Sequence, residues 1–140
     1  MVKTTSFYTG QKHCDIVHEP SGSKISTDAP KDNHGKGETF SPTDLVGVAL
    51  GSCVLTTMSI VAERDGIDFT TAKAEVEKVM ADKPRRIQAL KIKVTLPASL
   101  SEVHRRKLEE TAKHCPVHRS LSHEMEIPMT FVYSESPKIS

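Results

Sequence analysis

The sequence predicts a small α+β protein, mainly antiparallel sheet packed on helices. Three observations carry that prediction. An uncharged stretch of 18 residues, Leu45–Ala62, lies between helix-start and helix-stop signals. On both sides of it, segments alternate apolar and polar side chains at the period of a half-buried strand. The order is strands, long helix, hairpin, helix, strand, without an internal repeat, which separates this chain from alternating α/β folds. At 140 residues it is long enough for one cored domain, and residues 1–140 are expected to form it.

The N-terminal region, 1–40, reads as strands followed by a loop. Residues 3–9 and 12–18 form two short strands around Gly10, and the turn signal Glu19-Pro20-Ser21-Gly22 leads to a third near 23–27. Residues 28–40 are loop by composition. Gly35 and Gly37 are spaced for an anion-cradling turn, but the P-loop spacing is missing and a mobile connection is expected.

The central helix is placed at 41–66. Ser41 suits the N-cap, Pro42 the first helical position, and Asp44 the closing of a capping box beside the positive end of the helix dipole. Arg64 stands in the last turn and Gly66 can supply a left-handed terminator. A helix apolar all round is expected to be buried all round. Gly47 and Gly51, four apart, let another helix or strand cross closely, as in a dimer. The same features fit a transmembrane span. The stretch is at the lower length limit, however, carries Ser52, Thr56, Thr57 and Ser59, and lacks a flanking Lys/Arg cluster. No membrane association is expected.

The hairpin occupies 69–97. Ala72, Ala74 and Val76 alternate with Lys73, Glu75 and Glu77; after the turn at Asp82-Lys83-Pro84, Leu90, Ile92, Val94 and Leu96 alternate with Lys91, Lys93 and Thr95. Residues 99–121 read as a second helix and a turn. Ser99-Leu100-Ser101-Glu102 is read as its capping box, Val103, Leu108, Thr111 and Ala112 as a thin apolar stripe, and Pro116 as its stop. The last strand, 124–133, alternates Met125, Ile127, Met129, Phe131 and Tyr133; residues 134–140 read as a frayed tail.

Composition excludes several function classes. A net charge of +1 gives no global attraction to nucleic acid or membrane. Two tyrosines, four phenylalanines and no tryptophan offer little for base stacking. The segment 1–6 has no apolar run of the secretory kind. Three scattered cysteines make no disulfide framework. A reducing, cytoplasmic setting is expected, in which paired cysteines are more often redox-active than structural.

Cys53 lies near the middle of the central helix, and Gly51 and Ser52 beside it leave room for a substrate to approach sulfur. Residue type alone favours a small buried hydrophobe. Asp44 and Thr43 lie about 13–15 Å back along the helix, so a group activating Cys53 comes from another segment. Cys115 precedes a proline among His114, His118, Arg119 and His123, and cationic neighbours favour the reactive thiolate. The spacing His114-Cys115-x-x-His118 also resembles a metal half-site, although the second half that zinc motifs need is missing and no metal is expected. Cys14, next to His13, has no partner pattern. A thiol on a buried helix and another at a helix end suggest a peroxidatic and resolving pair, while a Cys–His hydrolase is neither placed nor excluded.

Two segments carry a resemblance. Ser41-Pro42-x-Asp44-Leu45 followed by Gly51-Ser52-Cys53, and His114-Cys115-Pro116-Val117-His118-Arg119-Ser120-Leu121 followed by Glu126-Ile127-Pro128-Met129-Thr130-Phe131, resemble the OsmC/Ohr family of organic hydroperoxide reductases. The resemblance covers nearly the whole chain and is most specific at Cys-Pro-Val and Ile-Pro. It implies an OsmC-like fold: an intertwined homodimer with sheets wrapped around two long central helices and active sites at the subunit interface. It implies Cys53 as the peroxidatic nucleophile and Cys115 as the resolving thiol. It also implies alkyl or fatty-acid hydroperoxides as substrates and an external dithiol, a lipoylated or other small dithiol system, as reductant in place of a bound cofactor. Members of the family carry a glutamate directly after the proline, paired with an arginine from the early strands. Here Thr43 takes that position with Asp44 next, and no arginine precedes Arg64. Asp44 is the activating candidate; Lys12, His13, Arg85 and Arg86 are the candidate replacements for the arginine. The pattern is closer to the broader OsmC-like branch than to the dedicated resistance enzymes. A non-catalytic or weakly catalytic redox sensor or small-molecule binding protein on the same fold is the alternative.

Overall fold

A computed structural model describes residues 1–135 and divides the chain into two compact units, Met1–Val46 and the remainder from Gly47. Residues 136–140 of the expected tail lie outside the described residues.

The first unit is built on an antiparallel meander of β1 (Thr4–Gly10), β2 (His13–His18) and β3 (Lys24–Asp28), in that order. Gly10, Gln11 and Lys12 all have positive φ, which turns the chain tightly between β1 and β2. The loop after β3 is knitted together where composition reads a mobile connection. It holds a short 3-10 helix at Lys31–Asn33, and the Gly35 and Gly37 N–H groups donate to the carbonyls of Pro30 (3.0 Å) and Ala29 (3.2 Å). Those amides serve the backbone, so the turn is not an anion cradle. A Cβ on Gly35 would sit 1.8 Å from the Ala29 carbonyl oxygen, a position only glycine fills.

Helix α1 (Pro42–Arg64) begins and ends as its sequence dictates. The Ser41 N–H donates to the Asp44 carboxylate (2.9 Å) and the Asp44 N–H donates to Ser41 Oγ (3.0 Å), a closed capping box. At the other end Gly66 has φ +68°, with its N–H on the Glu63 carbonyl and the Ile67 N–H on the Ala62 carbonyl, a Schellman termination. Burial corrects the expectation of an all-round core helix. Gly47, Leu50, Gly51, Val54, Met58 and Ala62 form a single buried stripe, whereas Val48 and Ile60 on the other side are 48% and 66% exposed. By length and composition α1 is apolar enough to cross a bilayer.

In the second unit β4 (Lys73–Ala81) and β5 (Arg86–Pro97) form the expected antiparallel hairpin, starting at Lys73 instead of Phe69 because Thr70 and Thr71 are in a turn. Leu90, Ile92, Val94 and Leu96 turn inward and are buried. The close approach allowed by the glycines is made by β4. A Cβ on Gly51 would stand 3.1 Å from a Val76 methyl, and one on Gly47 3.4 Å from the other methyl.

Strand β6 (Met129–Ser134) runs parallel to β5, so the second sheet is β4-β5-β6 with mixed direction. The crossover that parallel pairing requires is supplied by α2 (Glu102–Ala112), α3 (Pro116–Ser120) and the segment after it. Residues 126–128 already run along β5, with Glu126 N–H on the Gln88 carbonyl and the Glu126 and Pro128 carbonyls accepting from Leu90 and Ile92. Pro128, lacking an N–H, interrupts the ladder there and delays the regular strand. Helix α2 is capped by Ser101, whose Oγ accepts from the His104 N–H at 3.2 Å, two residues later than the expected box at Ser99. Its buried stripe is Leu108 and Ala112, four apart; Val103, expected in the stripe, is 74% exposed.

Candidate active site

Cys53 and Cys115 meet in the second unit. Cys53 is half-buried on α1, just after Gly51, the residue that lies against Val76. Its Sγ stands 3.8 Å from the hydroxyl of Thr57, one helical turn on. Thr57 was not singled out by sequence; the signal that could have found it is its spacing of four from a candidate nucleophile on a helix.

Cys115 is completely buried. It does not end α2, which stops at Ala112, but is the N-cap of α3, with Pro116 at the first helical position. Its sulfur takes the place of a capping oxygen and accepts from the His118 N–H at 3.3 Å. Burial pushes the Cys115 thiol up from its ordinary pKa. The His118 and Val117 amides pull against that, and the adjoining Cys53 thiol pushes it up again. The expected cationic activation of Cys115 is therefore corrected. Its histidine neighbours do not outweigh burial, and Cys115 is held as a neutral thiol. All three cysteines are free.

Two of the surrounding basic residues, His114 and Arg119, are paired with each other. His114 Nδ1 faces Arg119 (3.2 Å) and its Nε2 faces Glu110 (3.2 Å), so the guanidinium donates to Nδ1 and the Nε2–H donates to the carboxylate. Among the described residues no three His, Cys, Asp or Glu side chains gather to hold a metal ion, and the half-site of His114, Cys115 and His118 does not close with His123.

The candidates outside this pair are placed as follows. Asp44 closes the capping box of α1. Lys12 is at the β1–β2 turn, where its N–H donates to the Tyr8 hydroxyl. His13 bridges Asp28 (2.6 Å) and Asp15 (3.1 Å). Asp28 is 2% exposed and also accepts the Glu38 N–H. Arg85 and Arg86 are exposed at the β4–β5 turn. Cys14 is half-buried on β2, in register with Tyr8 and Thr27.

The family profile described as OsmC-like protein matches residues 35–130. A solved structure from Psychrobacter arcticus, provisionally assigned to osmotic stress and detoxification response, is 38% identical with a TM-score of 0.89. The alignment covers 94% of this chain and 96% of that one. An organic hydroperoxide resistance protein OsmC from Legionella pneumophila superposes with a TM-score of 0.77 at 13% identity, covering 94% of this chain and 96% of that one. The organic hydroperoxide resistance protein OhrB of Bacillus subtilis gives 0.70 at 16% identity, covering 94% and 97%. At those lower identities the likeness is one of fold. No curated protein matches the chain.

Proposed function

Because this chain belongs to the OsmC-like protein family, we propose that it is a thiol peroxidase that reduces organic hydroperoxides of the alkyl or fatty-acid kind through Cys53 and Cys115. The observation that carries the reading is the juxtaposition of a half-buried thiol on α1 with a fully buried one at the cap of α3. The accessible sulfur meets the peroxide and the sheltered one waits in reach of the product.

The Cys53 thiolate attacks the outer peroxide oxygen. The S–O bond forms as the O–O bond breaks, the alkoxide takes a proton from water, and sulfur is oxidised to sulfenic acid while the hydroperoxide becomes an alcohol. Cys115 sulfur then attacks Cys53 sulfur; the S–S bond forms, the S–O bond breaks, and the hydroxyl leaves as water with the Cys115 proton. An external dithiol reduces the disulfide by exchange and is itself oxidised. The raised pKa of Cys115 suits this order, because a neutral buried thiol does not compete for peroxide. We place the enzyme in a reducing cytoplasm and as a homodimer, the partner covering the side of α1 that bears Val48 and Ile60.

A second reading, a slow redox sensor or small-molecule binder on the same fold, is favoured by one observation. Asp44 and His13, two of the candidates for activating Cys53, are engaged in a helix cap and between two aspartates. The two readings part on thiol accounting during hydroperoxide consumption. Cys53→Ser is expected to abolish turnover. Cys115→Ser should support one oxidising event per chain and accumulate Cys53 sulfenic or over-oxidised acid. Equal, partial losses in both variants contradict the roles assigned here.

A further inference from the structure

We infer that Thr57 is a further residue of the active site, presenting its hydroxyl to the Cys53 sulfur as the hydrogen-bond donor that an ionised thiol requires. Thr57 follows Cys53 by four positions on α1, so the two share a face. Side chains on a helix lean toward its N-terminus, which brings Thr57 back over Cys53.

The neighbouring hydroxyls show what threonine and serine ordinarily do within a helix. Thr56 Oγ1 donates to the carbonyls of Ser52 (3.0 Å) and Cys53 (3.2 Å), and Ser59 Oγ donates to that of Thr56 (2.7 Å). Thr57 departs from them, with its hydroxyl 3.8 Å from Cys53 Sγ. While the thiol is neutral either partner can donate. Once sulfur is ionised, only the Thr57 hydroxyl has a proton to give. A hydroxyl bonds a charged sulfur more strongly than a neutral one, and the thiolate is the nucleophile. Both side chains are half-buried, which strengthens such a bond relative to water.

The chemical role rests on the peroxidase reading above. The geometry does not, and the test separates the two. Reduced wild type, Thr57→Val and Thr57→Ser are each treated with iodoacetamide, and alkylation is followed on the Cys53 peptide, with the Cys14 peptide as internal control. Cumene hydroperoxide consumption is measured on the same preparations. Valine keeps the branched shape and removes the hydroxyl, while serine keeps the hydroxyl and removes the methyl.

Thr57→Val is expected to slow Cys53 alkylation about tenfold, the scale of a hydrogen bond to a charged group. Thr57→Ser should restore it to within about twofold, with Cys14 unchanged in all three. Peroxide consumption should follow the same order. Equal Cys53 rates in wild type and Thr57→Val overturn the assignment, and so does a serine variant as slow as the valine one. If the Cys53 pattern holds but wild type consumes no peroxide, Thr57 keeps its assignment and the peroxidase reading fails.

Discussion

Cys115 shows how local context decides a side chain's chemistry. Its sequence neighbours are basic, and on that ground alone the thiol reads as activated. In the fold, complete burial opposes ionisation more strongly than the His118 and Val117 amides promote it. Among the basic residues, His114 is engaged between Glu110 and Arg119. His13 is the converse case. Its hydrogen bond to Asp28 raises the histidine and lowers the aspartate, with Asp15 adding to the rise. The sign of the pH dependence follows. Asp28 contributes stability above its unfolded value and loses it as pH falls through its lowered folded value. His13 contributes fully below its unfolded value and loses that as pH rises through its raised one. The pair is therefore fully effective between about pH 4 and about pH 6.5. The Tm difference between wild type and His13→Gln should be largest in that window and shrink as pH rises above it. A difference independent of pH contradicts the pairing. Cys53 itself was nominated by sequence, set beside small residues in an uncharged helix. Thr57 was not, because a hydroxyl in a helix is normally satisfied by a carbonyl one turn back, as Thr56 is.

At the scale of elements, legibility followed how local the determining physics is. The ends of α1 depend on residues within one turn, and Ser41, Asp44 and Gly66 placed them to within a residue or two. The β4–β5 hairpin was equally plain, since alternation records which face is buried. The parallel direction of β6 was not plain, because its alternation is the same whichever way it runs; only the path through α2 and α3 decides it. Within the single chain α1 is less buried than its apolar surface suggests, for a related reason. An apolar surface tells of a preference for burial, not of what is present to cover it. The glycines on its buried stripe have a definite cause in the packing of Val76. Gly51→Val sends two methyls into space where even a Cβ would be 3.1 Å from Val76, and should destabilise the protein by about 1–3 kcal/mol despite the usual gain on replacing a helical glycine. Urea unfolding checks this; a variant as stable as wild type contradicts the close approach of helix and strand.

Across the whole molecule the family relationship accounts for the two-sheet α+β architecture and the order of its elements. The proposed activity adds a requirement on two residues far apart in sequence, Cys53 on α1 and Cys115 at the head of α3, that their sulfurs work as one site. Sequence pairs them through cysteine chemistry and family resemblance, whereas their physical meeting depends on how α1, the second sheet and the turn after α2 pack. The most direct test is to mix fully reduced protein with cumene hydroperoxide in a stopped-flow instrument, quench by acid at intervals, and count free thiols while mapping the cross-linked peptides. Rapid loss of two thiols per chain is expected, in step with one hydroperoxide consumed and the appearance of a Cys53–Cys115 disulfide, with Cys14 left reduced. Loss of Cys53 no faster than of Cys14, or a disulfide that leaves out Cys115, would contradict the proposed activity.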